Sequence, residues 1–374
     1  MANTGVEELS ELKKNINDVF ILTNGIIVCL MQCGFACLEA GAVRSKNTTN
    51  IIMKNFMDIH QCPVLLAGRI RPGTWRRQPV RGTHVLGRRW NPGASDGSLV
   101  LPIRVCRIVS GAVAERCHFV AYVTYSAVIS GLVYPVVSRW VWAEEGWLNQ
   151  MGYRDFSGCG PIHLLGGTCS LFGAAFLGPR LGRFSSKAED SQEIPGHSVP
   201  LTGLGGMILV AGFLAFNGGT LGSMTRPGES ELIARVIINT VMGGTGGSIT
   251  VMLASKLGLN GVPSWSFLST LNGAFIGMVS VCAGVNEMNM WECFVSGMIA
   301  GPIYMIIHYV VLWCKSKYEM TFITFSTRFL ATVIQKCKFV SVWTHAKTSL
   351  NSMHSLKHKN MKQQVTFMTN KCSK

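Results

Sequence analysis

The chain has 374 residues, of which 48% are hydrophobic and only 14% are charged, against about 25% charged in an average soluble domain. This balance excludes an intrinsically disordered chain. It also argues against a soluble enzyme, because long uncharged runs recur along the chain and each would have to be hidden from water. The net charge of +15 lies mostly outside those runs, so its position favours a membrane surface over nucleic acid as the partner of the basic residues.

Glycine and cysteine are both abundant. The 41 glycines favour a tightly packed membrane helix bundle, because small residues let helix backbones approach closely. The 13 cysteines include no C-x-x-C pair, and several lie inside apolar runs, among them Cys29, Cys33, Cys37, Cys169, Cys282 and Cys293. They are therefore predicted to be structural thiols rather than disulfides or zinc ligands. No nucleotide loop, metal cluster or triad spacing is present, so we expect no metal, no cofactor and no enzymatic activity.

Seven uncharged runs of about 20 residues predict transmembrane helices. In chain order they are 19–38, 119–137, 156–178, 198–221, 236–255, 262–285 and 293–314. The first run is too long for the apolar region of a signal peptide and has no small-residue cleavage site after it, so we expect it to remain in the protein.

The connections between these runs alternate in charge, which predicts the orientation of the chain. Basic residues follow the first, third and fifth runs, and acidic residues follow the second, fourth and sixth. The last run is followed by Lys315 and Lys317. We therefore expect the N-terminus outside the cell and the Lys315 end in the cytoplasm.

Two segments depart from this pattern. Residues 69–107 contain nine of the eighteen arginines and a single acid, and residues 320–374 contain no acid at all. An arginine near the bilayer centre costs at least ~2.5 kcal/mol, so the arginine-rich segment is not expected to insert as a substitute helix. The predicted organisation is an extracellular tail (1–17), a membrane domain (18–318) interrupted by an arginine-rich segment (59–107), and a basic cytoplasmic tail (319–374).

Seven stretches, taken together and in order, resemble the ammonium transporter family of the invertebrate and plant type, which is related to the Rhesus proteins. They are MQCGFACLEAG (31–41), RSKN (44–47), IVSGAVAER (108–116), YPVV with WVW (134–142), DFSG with His163 (155–163), GHSVP (196–200) and FNGG (216–219). The resemblance implies an all-α, multi-pass transmembrane bundle of eleven family helices. About seven are clear here, and the second, third and last two are damaged or missing.

The resemblance also implies a path for ammonium through the protein. Trp142 and Thr220 match the outer site that gathers the cation, where an aromatic face and a hydroxyl oxygen attract it. From the residues alone, Trp142 could equally belong to an interfacial aromatic belt, and the Thr220 hydroxyl could bond its own helix. Phe216 matches a phenylalanine gate that narrows the pore, although phenylalanine in a membrane helix is otherwise core.

His163 is the only ionisable residue inside the third run, which makes it a functional candidate by default. A neutral imidazole can donate from one nitrogen and accept with the other, so it could bond ammonia or relay a proton; a packed histidine bonded to a neighbouring helix is the alternative. Asp155 is expected to cap the start of that helix. Asp155 and Asn217 are both expected to have a structural or electrostatic role. The family's second pore histidine has no counterpart after Lys317.

The function implied is transport of ammonium or ammonia across a membrane, in which the cation gathers near Trp142, loses a proton, and ammonia passes Phe216 and His163. The expected partners are ammonium or ammonia, the lipid bilayer and two further copies in a homotrimer, with no nucleic acid. The expected location is the plasma membrane. Because family helices are missing, a non-conducting or regulatory subunit and an ammonium sensor stay open as alternatives.

Overall fold

The computed structural model describes residues 2–69, 101–180, 194–259 and 263–313, and within these ranges the chain is helical with no strand. Two π-helical turns, Ile129–Val133 and Cys159–Leu164, lead into the fifth and seventh helices. The eleven α-helices of the described residues are α1 (Ala2–Ala42), α2 (Thr48–Arg69), α3 (Leu101–Val113), α4 (Phe119–Val128), α5 (Tyr134–Trp142), α6 (Trp147–Gln150), α7 (Leu165–Leu177), α8 (Val199–Gly219), α9 (Glu229–Lys256), α10 (Phe267–Val281) and α11 (Met290–Trp313).

Six helical stretches of the described chain are long and apolar enough to cross a membrane. They are Thr4–Ala42, Phe119–Gln150, Cys159–Leu177, Val199–Gly219, Glu229–Lys256 and Met290–His308. Each contains or overlaps one of the seven predicted runs, and the predicted all-α, multi-pass class is confirmed.

The sixth predicted run (262–285) differs, because its helix α10 has only 15 residues. The Ser266 hydroxyl caps its start by accepting from the Ser269 N–H at 3.2 Å. At 1.5 Å per residue this helix is about 22 Å long, shorter than the ~30 Å hydrocarbon core. The apolar run of 24 residues therefore predicted a longer helix than the structure has.

The predicted N-terminal tail and both ends of the predicted arginine-rich segment are helical where the structure describes them. Helix α1 begins at Ala2, because the glutamate, leucine and lysine residues before the first run are good helix formers. Helix α2 continues to Arg69 and α3 begins at Leu101, so helices occupy parts of the predicted interruption. Residues 70–100 and the predicted tail 319–374 lie outside the described residues.

A buried ion pair joins α2, α3 and α4. The Nε atom of Arg107 lies 3.2 Å from Oδ2 of Asp58, and both side chains are at most 2% exposed. The same carboxylate accepts hydrogen bonds from the Tyr122 hydroxyl at 2.5 Å and the Ser126 hydroxyl at 2.8 Å. Arg107 was expected to stay out of the bundle because of the cost of burying its charge; the structure places it inside, opposite a carboxylate that offsets this cost.

A second buried polar group lies beside this pair. The Glu39 carboxylate accepts hydrogen bonds from the Asn55 amide and the Ser110 hydroxyl, each at 2.9 Å. The Lys54 ammonium donates to the Cys117 carbonyl at 2.9 Å. These bonds join α1, α2, α3 and the connection that follows α3. Together with the bonds from Tyr122 and Ser126 to Asp58, they hold the first four helices together by polar as well as apolar contacts.

Glu115 joins three separate connections at one end of the bundle. Its Oε1 atom accepts from Asn47 at 2.6 Å and from the backbone N–H and Nε of Arg44 at 3.0 and 3.1 Å. Its Oε2 atom accepts from Arg180 at 3.0 Å. The Glu115 side chain is 0% exposed, and the residue adopts a left-handed backbone with φ of 63°.

This arrangement predicts a specific loss of stability in acid. Burial raises the pKa of the Glu115 carboxyl, but hydrogen bonds from Asn47, Arg180 and Arg44 outweigh burial and lower the pKa from 4.5 to about 2. The stabilisation is therefore complete above the unfolded-state pKa of 4.5 and is lost as the pH falls toward the folded-state pKa. Between about pH 5 and pH 2, the wild-type free energy of unfolding should fall by roughly 2–4 kcal/mol more than that of Glu115→Gln. Denaturation in detergent across this range measures the difference; parallel curves would contradict it.

Candidate functional site

The π-helical turn Cys159–Leu164 places His163 inside the bundle. The turn starts after Gly158, whose φ of 92° lies in the left-handed region that glycine adopts without strain. The backbone N–H of His163 bonds the Gly158 carbonyl five residues earlier, at 3.3 Å. Single π-turns of this kind occur frequently at functional sites.

The Asp155 carboxylate caps the start of this turn. Its oxygens accept from the backbone N–H groups of Gly158, Cys159 and Gly160 at 2.7, 3.0 and 2.6 Å. Burial raises the pKa of the Asp155 carboxyl, while these three backbone donors act in the opposite direction. The carboxylate therefore organises the backbone that carries His163.

Trp142 belongs to the same unit of structure. Its indole N–H donates to the Asp155 carbonyl at 2.7 Å, and the half-buried side chain packs against the main apolar core. Because the N–H lies in the plane of the indole ring, this bond does not use the π face of the ring.

The His163 ring lies among phenylalanines and is 4% exposed. It stacks on Phe213, with ring centroids 5.8 Å apart and planes at 12°, and it meets Phe216 edge-on at 6.3 Å and 86°. Phe275 from α10 packs against Phe213 at 6.4 Å. The predicted gate residue and the predicted pore histidine are thus direct neighbours.

A line of buried polar side chains starts at the same histidine. The Cys282 sulfur lies 4.0 Å from His163 Nε2 and 3.6 Å from Asn217 Oδ1. The Asn217 amide donates to the Thr240 hydroxyl at 2.9 Å. Asn217, Thr240 and Cys282 are all 0% exposed.

Thr220 lies at the end of α8, one turn after Phe216, and is partly buried. Its hydroxyl donates to the Phe216 carbonyl at 2.7 Å, which is the helix bond that the sequence left open as an alternative. A hydroxyl that donates one hydrogen retains its lone pairs as acceptors, so this bond does not remove the property for which Thr220 was singled out.

The structure thus brings His163 together with Phe216 and, through Cys282, with Asn217; it brings Trp142 together with Asp155. Sequence reasoning missed Phe213 and Cys282. Phe213 precedes Phe216 by three residues on α8 and so shares its face, a spacing that could have indicated it. Cys282 had no such signal. Within the described residues, no group of three or more His, Cys, Asp or Glu side chains could hold a metal ion.

The described residues contain six helical stretches of membrane-spanning length, and one of them carries the buried His163. These features define a multi-pass helical membrane protein. The sequence model of the Ammonium Transporter Family matches residues 19–68 and 101–320. The chain belongs to this family, whose members are membrane transporters rather than enzymes.

Relatives from distant organisms agree with this assignment. A Caenorhabditis elegans protein named for ammonium transport is 40% identical over 326 residues, which are 81% of this chain and 59% of that protein. Ammonium transporter Amt1 of Haloferax mediterranei is 34% identical over 78% of this chain and 60% of its own length. The chain therefore spans about three fifths of the length of these relatives.

Solved structures share the fold. A protein titled Sensor Amt Protein has a TM-score of 0.75 and 23% identity, covering 87% of this chain and 82% of its own. Mep2 of Candida albicans has a TM-score of 0.70 and 19% identity, covering 85% of this chain and 70% of its own. At these identities the likeness concerns the fold alone.

Proposed function

We propose that this protein moves ammonium or ammonia across a membrane along a path that passes Trp142, Thr220, Phe216 and His163. The observation that carries the proposal is the His163 ring, buried between Phe213 and Phe216 at the start of a membrane-length helix. A polar ring among apolar rings is what a small molecule that can both donate and accept hydrogen bonds would use inside a membrane.

The first step is recruitment of the cation. The π face of Trp142 attracts an ammonium ion by about 0.5–2 kcal/mol without a fixed charge that would also hold metal cations. The Thr220 hydroxyl oxygen accepts a hydrogen bond from the ion, since its own hydrogen is donated to the Phe216 carbonyl.

The second step is transfer of a proton from the ion to a water molecule at the outer site, before the phenylalanines. Apolar surroundings disfavour a charged species and favour its neutral form, so ammonia passes Phe216 while the cation does not. His163 then exchanges hydrogen bonds with the neutral molecule. Asp155 and Asn217 act indirectly: Asp155 by holding the turn that carries His163, and Asn217 through its bonds to Thr240 and Cys282.

We further propose a plasma-membrane location with the Lys315 end in the cytoplasm. The support is the collection of Arg44, Arg180 and Lys54 at one end of the bundle, around Glu115 and the Cys117 carbonyl, since basic residues favour the cytoplasmic side.

We also propose a homotrimer. Large apolar side chains on the outside of α1, including Val19 and Ile26 at 62% exposure each, suit lipid or a neighbouring subunit.

The test is uptake of radiolabelled methylammonium by cells that have no ammonium uptake of their own. Wild type should take up the label, and His163→Ala should reduce the initial rate by roughly tenfold or more, which corresponds to ~1.4 kcal/mol on the barrier. The matched control is His308→Ala, a membrane histidine that stacks on Tyr304 in α11, a helix that carries none of the four path residues. Equal losses in both variants, with equal protein at the membrane, would overturn the role of His163.

The gap in the family match favours one second candidate, a non-conducting subunit. The family model matches residues 19–68 and 101–320, so the arginine-rich residues between these two ranges have no counterpart in that model. If this candidate is correct, wild type takes up no label alone, but its co-expression with an intact family member lowers the uptake of that member.

A further inference from the structure

We propose that Thr240, Asn217 and Cys282 form a hydrogen-bonded chain that sets which ring nitrogen of His163 carries its hydrogen. This inference rests on the proposed function, because it concerns how His163 meets ammonia. Four elements contribute: His163 lies in the turn before α7, Asn217 in α8, Thr240 in α9, and Cys282 directly follows α10. We regard the three residues as positioning residues.

The chain begins at Thr240. Its hydroxyl donates to the Val236 carbonyl at 2.7 Å, so the hydroxyl oxygen faces Asn217 as an acceptor. Only the NH2 end of the Asn217 amide can use that acceptor, and the two atoms are 2.9 Å apart. The orientation of the amide follows from this bond, as amide orientations in proteins are assigned from their hydrogen-bond partners.

The amide orientation determines whether Asn217 accepts from the Cys282 thiol or donates to its sulfur. A reversed amide would point its NH2 end at the sulfur and compete with His163 for that acceptor. With its NH2 end on Thr240, Asn217 presents Oδ1 to the Cys282 sulfur at 3.6 Å. A second oxygen, the Met278 carbonyl, lies 3.2 Å from the same sulfur. A thiol has one hydrogen, and both oxygens are nearer to it than His163 Nε2 at 4.0 Å. The thiol hydrogen therefore goes to an oxygen, and the sulfur meets His163 as an acceptor.

An acceptor opposite Nε2 favours the tautomer with hydrogen on Nε2, which leaves Nδ1 as the acceptor nitrogen. Sulfur is a weak acceptor, and the contact at 4.0 Å is long. Ammonia is a stronger acceptor than a thiol, so a passing molecule takes over the Nε2 hydrogen with little resistance. Cys282 thus holds the histidine in the form that can donate, without competing strongly for the hydrogen.

Four variants test this chain. Cys282→Ala removes the acceptor, and Cys282→Ser retains one. Thr240→Val removes the group that orients Asn217 while Cys282 stays in place. Cys293→Ala is the matched control, because Cys293 is also 0% exposed but packs in a separate apolar cluster.

The readout is the 15N spectrum of ring-labelled histidine in proteoliposomes, with His163→Gln used to identify the signals of His163 by their loss. Correlation of each nitrogen with its ring carbons shows which one carries hydrogen. Wild type, Cys282→Ser and Cys293→Ala should carry it on Nε2. In Cys282→Ala and Thr240→Val the share of the Nδ1–H form should rise at least threefold. Hydrogen on Nδ1 in wild type, or unchanged spectra in both variants, would overturn the proposal.

Methylammonium uptake separates this inference from the proposed function. If wild type takes up no label, the transport proposal fails while the spectra still decide the tautomer. If wild type conducts, Cys282→Ala should lower uptake several-fold and Cys282→Ser should restore most of it. If wild type takes up the label but the tautomer is unchanged in both Cys282→Ala and Thr240→Val, the transport proposal stands and the tautomer proposal is overturned. Should Cys282→Ala fail to fold, Cys282→Ser and Thr240→Val still test the chain.

Discussion

Gly277→Ala is expected to destabilise the protein by about 3 kcal/mol or more, toward the upper end of the cost of overpacking. A methyl group at Gly277 in α10 would clash with the backbone carbonyl of Gly243 in α9. Backbone atoms cannot turn aside as the end of a side chain can, so the two helices would have to separate. A methyl group at Gly297 in α11 would clash with the same carbonyl, so α9 is packed closely against both α10 and α11.

The matched control is Gly25→Ala in α1. A methyl group there would meet no atom within 4 Å, so the change should be neutral or stabilising by about 0.5–1 kcal/mol through helix propensity. The free energy of unfolding in detergent or bicelles measures both. Equal stabilities for Gly277→Ala and Gly25→Ala would contradict the close approach of α9 and α10.

Asp58→Ala is expected to cost about 3–5 kcal/mol, the usual range when one member of a buried ion pair is removed. The Arg107 guanidinium would remain buried at 1% residue exposure without the carboxylate that lies 3.2 Å away. The Tyr122 and Ser126 hydroxyls would also lose the acceptor that they share.

An exposed pair provides the comparison. Arg139 and Glu145 approach to 2.7 Å but are 45% and 55% exposed, so Glu145→Ala should cost no more than about 1 kcal/mol. Combining Asp58→Asn with Arg107→Met should cost less than the sum of the single changes, because the double variant leaves no buried charge unpaired. Additive costs would show that the pair is not coupled.

Most of the fold could be predicted because the bilayer imposes a simple requirement on sequence. A helix needs about 20 apolar residues to span the hydrocarbon core, and six of the seven predicted runs overlap a helical stretch of about that length or longer. The exception, α10, begins at the Ser266 cap and ends at Val281 within a longer apolar run. A run of apolar residues limits where a helix can lie but does not require every residue in it to be helical.

The candidate site could be predicted only in part. His163 was found because an ionisable side chain is conspicuous in an apolar run, and Phe216 and Trp142 were found through resemblance. Cys282 was not found, because it is more than a hundred residues from His163 in the chain and a buried thiol is usually inert. The roles of these residues remain predictions for the experiments above.

The sequence by itself determined that the helices lie in a lipid bilayer, that the fold is all-α, and which family the chain belongs to. Hydropathy and local motifs are properties of short segments, so they can be read without the tertiary structure. The tertiary structure decided which side chains meet: Asp58 with Arg107, Glu115 with two arginines from separate connections, and Cys282 with His163. Such pairings depend on how each helix is rotated about its axis and on how closely its glycines let it approach its neighbours. Both are settled by packing between helices that are distant in the chain, so no local pattern records them.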